Sequence, residues 1–230
     1  MKEFQAKGVV WDFDGTILDS MALFDDTISE ILRKHGLPVP SREVLARHHY
    51  GDLHKTIRAV SNVKEGSLLE TLCSEFIWGE DHHYEHPDDL YFADALSLLR
   101  RNHEAGLKQI VISNRFHHSD SRKGSPRNLA SRQPLAGLID MVVCGDDSDY
   151  QKPDVRAIDD ATRQLGLSHE SLLVIGDQSI DAKLGHNLGA LAVLVARSGE
   201  SIPHLEELGD GWQAKTSVVR SLDEVSITLA

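Results

Sequence analysis

The sequence is poor in cysteine and has no long apolar run. Its two cysteines, Cys73 and Cys144, lie far apart and lack the Cys-x-x-Cys spacing of redox and zinc motifs. We therefore expect both thiols to be reduced and to have a structural role. No apolar run is long enough to cross a membrane, and the N-terminal residues lack the apolar core of a signal peptide. A cytoplasmic protein without a membrane partner is expected.

Basic residues are also scarce relative to acidic ones. The chain has 24 lysines and arginines against 36 aspartates and glutamates, which gives a formal net charge of −12 at pH 7. Because binding to nucleic acids or anionic membranes needs clustered cations, this composition argues against both partners. An anionic substrate would have to be attracted by a local cation or a metal ion. The length of 230 residues fits one large domain or a domain with an insertion.

Two carboxylates follow a short apolar run near the N-terminus. Residues 9–11 have the pattern of a buried strand, and Asp12 and Asp14 come next, where Gly15 ends the extended pattern. Residues two apart in a strand point to the same side, so these carboxylates would repel each other unless a cation or a shared proton lies between them. The carboxyl end of a strand is also where open α/β sheets bind ligands.

The rest of the chain divides into two kinds of pattern. Residues 19–90 contain four amphipathic helical patterns and no convincing strand, which predicts an inserted α-helical cap domain. The remainder, residues 1–18 and 91–230, would form the core. There, helical patterns alternate with further apolar runs at residues 108–112, 141–144, 172–175 and 190–196. This alternation predicts an α/β fold: a Rossmann-like parallel sheet of five or more strands with helices on both faces.

A second acidic pair follows the predicted strand at residues 172–175. Asp177 and Asp181 lie four residues apart, so at the start of a helix they can face the same ion. Together with Asp12 they offer only oxygen ligands, and such a site suits Mg²⁺ better than a softer metal.

Three polar residues near other strand ends could bind a phosphate. Lys152 would supply the cation that a phosphate needs among so many carboxylates, while Ser113 and Asn114 carry hydrogen-bond donors. Taken alone, Lys152 and Ser113 are each better explained by a simple surface turn. Their joint occurrence, in order and each beside a strand, favours a functional site.

Taken together, these elements resemble the four motifs of the haloacid dehalogenase (HAD) superfamily of phosphohydrolases. The first is Asp-Phe-Asp-Gly-Thr-Ile-Leu-Asp-Ser at residues 12–20, the second is Ser113 with Asn114, the third is Lys152, and the fourth is Gly-Asp-x-x-x-Asp at residues 176–181. The helical insertion between the first two motifs is similar in position to the C1-type cap of the phosphoglycolate phosphatase and β-phosphoglucomutase-like group.

The resemblance implies a role for each motif residue. Asp12 would be the nucleophile that forms an aspartyl-phosphate, and Asp14 would protonate the leaving group and then activate water. The Asp12 side chain, the Asp14 main-chain carbonyl and Asp177 would bind Mg²⁺, with Asp181 in support. Thr16 would steady Asp14 or its loop, and the residues expected around the phosphate are Thr16, Ser113, Asn114 and Lys152.

The implied activity is Mg²⁺-dependent hydrolysis of a small phosphorylated metabolite by a monomer or homodimer. Family members that cleave carbon–halogen bonds lack an acid at the position of Asp14, which favours phosphoryl chemistry here. A sugar phosphomutase of the β-phosphoglucomutase type is the alternative; a non-catalytic binding module is disfavoured because all four motifs are retained. One departure stands beside the second motif: Arg115 occupies a position where lysine or a small residue is common in the family.

Substrate choice is expected to depend on the insertion. The segment around Gly51 resembles the loop that closes on the leaving group in C1 caps, so His48, His49, Gly51 and His54 are candidates for substrate contact. The alternative for these histidines is simple solvation at the surface. A zinc site at the three histidines of residues 82–86 is a less favoured possibility than solvated loop positions.

Overall fold

The computed structural model describes residues 1–48, 53–79, 84, 90–118, 123–197, 202, 204–209 and 211–230. Its strands are β1 (Lys2–Ala6), β2 (Gly8–Asp12), β3 (Lys108–Ile112), β4 (Met141–Val143), β5 (Leu172–Gly176), β6 (Leu191–Val195), β7 (Thr216–Val219) and β8 (Val225–Leu229). Its α-helices are α1 (Met21–Lys34), α2 (Arg42–Arg47), α3 (Leu53–Ser61), α4 (Ser67–Gly79), α5 (Ala93–Glu104), α6 (Pro126–Ala130), α7 (Asp159–Leu165) and α8 (Ser179–Leu188). Among these described helices, none is both long and apolar enough to span a membrane.

A six-stranded parallel sheet forms the core, in the order β4-β3-β2-β5-β6-β7. This confirms the predicted α/β fold. Strand β2 lies between β3 and β5, and the register sets Asp12 beside Ile112 and Trp11 beside Ile175. The carboxyl ends of these three strands therefore meet at one edge of the sheet. Strands β1 and β8 form a separate parallel pair that the sequence patterns did not predict.

The central strand β2 is buried on both faces. Val9 and Trp11 pack in one hydrophobic cluster with Leu98 of α5, while Val10 packs in another with Leu184 of α8. Helices therefore cover the sheet on both sides, which explains why this strand is apolar at consecutive positions rather than at alternate ones.

Helices α1 to α4 have a hydrophobic cluster of their own. Its buried members include residues from all four helices, and the rings of Phe24 and Phe76 approach to 4.8 Å between centroids. The two segments that connect the insertion to the core lie next to each other. The Asp19 N–H donates to the Leu90 carbonyl at 2.6 Å, and the Phe92 N–H donates to the Ile17 carbonyl at 3.0 Å. The helical insertion is thus attached to the core by two hydrogen-bonded segments.

Both cysteines lie in the interior. Cys73 belongs to the hydrophobic cluster of the helical insertion, whereas Cys144 follows β4 in the core. Burial raises the pKa of the Cys144 thiol to about 11, which keeps it in the unreactive thiol form at neutral pH. The structural role expected for both residues agrees with these positions.

We expect Leu72→Ala to lower the free energy of unfolding by about 2–5 kcal/mol, because it opens a cavity among the buried side chains of the insertion. Leu68→Ala on the same helix is the matched control, since Leu68 is 38% exposed, and should change stability by less than about 0.5 kcal/mol. Urea unfolding of the three proteins measures the difference. Equal losses in the two variants would contradict a separate core in the insertion.

Candidate active site

Three carboxylates meet at the carboxyl edge of the sheet. Asp12 is the last residue of β2, Asp177 follows β5, and Asp181 lies in the first turn of α8. One oxygen from each side chain lies within 4.8 Å of the others. In the described ranges of the chain, this is the group of acidic side chains close enough to share a metal ion. The structure thus brings Asp12, from the first acidic pair, together with both members of the second pair.

Two glycines make this close approach possible. Gly15 has a φ of +80°, a conformation that favours glycine, and a Cβ atom there would collide with the carboxylate of Asp177. A Cβ atom at Gly176 would collide in the same way with the side chain of Asp181. Any larger residue at either position would push one of the three carboxylates out of the cluster.

Lys152 is buried among these acidic groups. Its Nζ atom donates to Asp12 Oδ1 at 2.5 Å and to Asp181 Oδ1 at 2.8 Å. Asn114 holds the lysine main chain from both sides: the Lys152 N–H donates to Asn114 Oδ1 at 3.0 Å, and Asn114 Nδ2 donates to the Lys152 carbonyl at 3.4 Å. Asn114 was expected to donate its backbone or side-chain N–H to the phosphate, and its side chain is engaged in fixing Lys152.

The charges of the cluster do not balance. Asp12 and Lys152 are only 6% and 7% exposed. Burial raises the pKa of Asp12 to about 6, although the charge of Lys152 opposes this shift. Desolvation and the charges of Asp12 and Asp181 also hold the pKa of Asp177 well above its usual range. Burial lowers the pKa of Lys152, but the two carboxylates that it contacts outweigh this effect and raise it.

The three carboxylates fit a divalent cation. Three aspartates and one lysine leave a surplus of negative charge in a poorly solvated place, and the raised pKa values of Asp12 and Asp177 are the consequence. All donors in the cluster are oxygens, as hard cations such as Mg²⁺ prefer. A cation held by Asp12, Asp177 and Asp181 would remove the surplus. The acidic cluster is therefore a candidate metal centre.

The other residues of the first motif have different partners. The Asp14 side chain turns to Arg115, whose Nη2 donates to Asp14 Oδ1 at 2.7 Å, and Ser113 Oγ donates to Asp14 Oδ2 at 3.4 Å. The Thr16 hydroxyl lies 3.3 Å from both Asp12 Oδ2 and Asp177 Oδ1. Thr16, which was expected to steady Asp14 or its loop, thus has its hydroxyl against the acidic cluster.

A cavity of about 390 Å³ lies between this site and the helical insertion. Its core side includes Asp12, Asp14 and Lys152, and its opposite wall is largely apolar, with side chains from α1, α3 and α4: Met21, Phe24, Leu53, Phe76 and Ile77. A ligand bound at the carboxylates would therefore extend toward the insertion.

The four residues of the insertion that were predicted to contact the substrate differ in where the structure places them. His54 lines the cavity, and its Nε2 lies 3.3 Å from Glu70 Oε2. His48 is partly buried beyond α2 and does not line the cavity. His49 and Gly51 lie outside the described residues, as do the three histidines of residues 82–86.

Arg115 and the apolar wall are the features to which sequence reasoning gave no role. Arg115 had been noted only as a family departure, although its place directly after Ser113 and Asn114 at a strand end put it beside the acidic pair. That adjacency was the available signal. The apolar wall could not be separated from ordinary core positions, because helical periodicity marks both in the same way.

Comparison with known proteins defines the class of this fold and site. A family model described as haloacid dehalogenase-like hydrolase matches residues 9–195, which is most of the chain. The chain therefore belongs to the haloacid dehalogenase-like hydrolases and is an enzyme of that family, as its motifs predicted.

Similar individual proteins are phosphatases and a mutase. The N-acetylmuramic acid 6-phosphate phosphatase of Pseudomonas aeruginosa is 27% identical over 198 residues, covering 85% of this chain and 84% of that protein. The phosphoglycolate phosphatase of Rhodobacter capsulatus is 22% identical over 215 residues, covering 89% and 93%. The crystal structure of β-phosphoglucomutase from Clostridium difficile matches with a TM-score of 0.71 at 14% identity, covering 95% of this chain and 92% of that one. This last similarity shows the fold alone.

We expect Mg²⁺ to stabilise the protein more at pH 7.5 than at pH 5. The pKa of Asp12 is about 6 in the folded protein against 3.8 for an ordinary aspartate. Its ionisation therefore lowers the free energy of unfolding as the pH rises from 3.8 to about 6. A bound cation offsets that cost, whereas protons compete with the cation at low pH. At about 100 times its dissociation constant the ion should add about 2.7 kcal/mol, measured by thermal unfolding.

Asp177→Asn should abolish this stabilisation, and without metal it should unfold at or above the wild-type temperature because the repulsion between Asp177 and the other two carboxylates is gone. Asp160→Asn is the matched control, since the Asp160 side chain is 83% exposed, and it should keep the wild-type response. An unchanged Mg²⁺ effect in Asp177→Asn, or a larger effect at pH 5, would show that the acidic cluster does not bind the ion.

Proposed function

We propose that the protein is a Mg²⁺-dependent phosphatase that hydrolyses a small phosphorylated metabolite through an aspartyl-phosphate on Asp12. The observation that carries this proposal is the buried contact of Asp12 with Lys152 inside the acidic cluster, at the floor of a cavity large enough for a metabolite. The named phosphatases among its relatives support the same reaction class.

Asp12 has the properties of a nucleophile that needs no base. Lys152 at 2.5 Å opposes the effect of burial on its carboxyl group, and a cation at the acidic cluster would strengthen the ionised form further. An ionised carboxylate oxygen can attack phosphorus directly, forming a new O–P bond while the bond to the leaving oxygen breaks. Asp12 then carries the phosphoryl group until water attacks it.

Asp14 is the proposed acid and base. It lines the same cavity as Asp12, with its carboxylate held by Arg115 and Ser113. It would give a proton to the leaving oxygen in the first step and accept one from the attacking water in the second, so that its protonation is restored after each cycle.

The remaining motif residues would bind the phosphate and the ion. Lys152 is a compact cation, held in place through Asn114, and it would neutralise charge on the phosphoryl oxygens. Ser113 and the main chain of Asn114 would donate hydrogen bonds to the same group. Mg²⁺ held by Asp12 and Asp177, with the Asp14 carbonyl and support from Asp181, would supply the positive charge that lets an anionic phosphate approach.

The helical insertion of residues 19–90 is the proposed cap. Its separate hydrophobic cluster and its two hydrogen-bonded connections suit a lobe that covers the cavity as a unit. Since the cap wall of the cavity is largely apolar, the metabolite that we propose presents an apolar face on the side away from its phosphate.

Asp12→Asn should lower phosphate release from p-nitrophenyl phosphate at least about a thousandfold, because an amide cannot serve as the nucleophile. The substitution keeps the shape of the side chain, so thermal unfolding should show a folded protein. Asp19→Asn is the matched control in the same sequence motif, since Asp19 is exposed, and it should keep activity within about twofold. Wild-type turnover in Asp12→Asn would rule out the covalent mechanism.

A screen of phosphorylated metabolites, including hexose 1-phosphates and phosphoglycolate, separates hydrolysis from phosphate transfer between positions of a sugar. A phosphatase releases inorganic phosphate in a one-to-one ratio with substrate loss, because water takes the phosphoryl group from Asp12. A mutase would isomerise a hexose phosphate with the total of organic phosphate unchanged. We expect release, measured by a colorimetric phosphate assay and phosphorus NMR; isomerisation without release would favour the mutase.

A further inference from the structure

Arg115 lies beside the candidate active site and contacts Asp14, but the chemistry proposed above gives it no function of its own. It follows the second motif directly, and its Nη2 atom donates to Asp14 Oδ1 at 2.7 Å. The two side chains are 14% and 28% exposed, so this ion pair is partly shielded from water. A charge-assisted hydrogen bond of this length is among the stronger polar contacts in proteins.

We propose that Arg115 is a positioning residue that fixes the orientation of the Asp14 carboxylate for proton transfer to the leaving oxygen. This inference rests on the role proposed above for Asp14. An aspartate side chain has two rotatable bonds, and the other contact that holds its carboxylate, from Ser113 Oγ, is longer at 3.4 Å. The arginine therefore contributes most to the orientation.

The guanidinium group is itself held on three sides. Its Nη1 donates to the Gly124 carbonyl at 2.7 Å, its Nη2 donates to the Tyr84 hydroxyl at 3.0 Å, and its central carbon lies 5.4 Å from the centre of the Tyr84 ring. Tyr84 is fully buried, and its carbonyl accepts a hydrogen bond from Arg132 Nη1 at 3.1 Å. Because the guanidinium group is planar and anchored in this way, it can hold the Asp14 carboxylate in one orientation.

The same contacts argue against Arg115 as a binding site for a second anionic group of the substrate. Its charge is already opposed by Asp14, and donors on both terminal nitrogens are engaged by Asp14, Gly124 and Tyr84. A substrate anion would have to displace Asp14, which would remove the proposed acid from its place in the reaction.

The expected effect depends on the leaving group. General acid catalysis contributes about 10²–10⁴-fold, and a misplaced group can lose about a hundredfold of that. A poor leaving group such as the alkoxide of benzyl phosphate needs the proton, whereas p-nitrophenolate leaves without one. Both substrates are aromatic and similar in size, so binding differences are small.

The test compares kcat/KM of wild type and Arg115→Met on benzyl phosphate and on p-nitrophenyl phosphate. We expect a fall of roughly a hundredfold for the first and less than about threefold for the second. Arg115→Lys should recover part of the loss, because an ammonium group can reach Asp14. The recovery should be incomplete, because lysine lacks the pair of terminal nitrogens with which arginine also contacts Gly124 and Tyr84. In an Asp14→Asn background, Arg115→Met should cost nothing further on benzyl phosphate, since both changes remove the same function.

Arg132→Met is the matched control, because Arg132 also contacts Tyr84 but donates to its carbonyl. It should show no dependence on the leaving group. Equal falls on both substrates in Arg115→Met would indicate a merely structural role, and a raised KM with unchanged kcat would indicate substrate binding; either result would overturn the proposal. If the wild-type protein releases phosphate from neither substrate, the proposed phosphatase activity fails instead, so the two failures can be told apart.

Discussion

The candidate active site depends on one buried arrangement of charge: a lysine between two carboxylates, with a third carboxylate beside them. Lys152 contacts Asp12 and Asp181, and Asp177 completes the group. Burying these charges would be costly if any were unpaired, and the pairing with Lys152 offsets only part of the repulsion. The remaining negative charge favours the binding of a cation at the cluster. A bound cation would also reduce the repulsion between the cluster and an anionic phosphate.

The fold assembles this cluster from distant parts of the chain. Adjacent strands β2 and β5 place Asp12 and Asp177 near each other, because the register leaves both at the carboxyl edge of the sheet. The glycines at positions 15 and 176 then remove the side chains that would keep the carboxylates apart. Among its described residues, the helical insertion contributes no carboxylate to the cluster, but it supplies the apolar wall of the cavity. The charged side and the apolar side of the cavity therefore come from different parts of the chain.

Much of the fold followed from local patterns, and the exceptions have physical causes. The five predicted strands are present because each contains consecutive apolar residues: β2 and β5 are buried throughout, whereas the edge strand β4 is only partly buried. Strands β1, β7 and β8 were missed because their residues are partly exposed and mix polar with apolar side chains. The roles of the predicted site residues remain proposals, but the structure does bring Asp12, Lys152 and the second acidic pair together.

The sequence by itself determined which residues stand at strand ends, since strand periodicity and glycine breaks are local properties, and it determined the family. Only the tertiary structure decided the partners: Asn114 fixes the Lys152 main chain, Thr16 contacts the acidic cluster, and Arg115 holds Asp14. The reason is separation along the chain. Lys152 and Asp12 are 140 positions apart, and Arg115 and Asp14 are 101 apart, so their contacts depend on how loops from different strands pack. No local pattern encodes the direction in which such side chains turn.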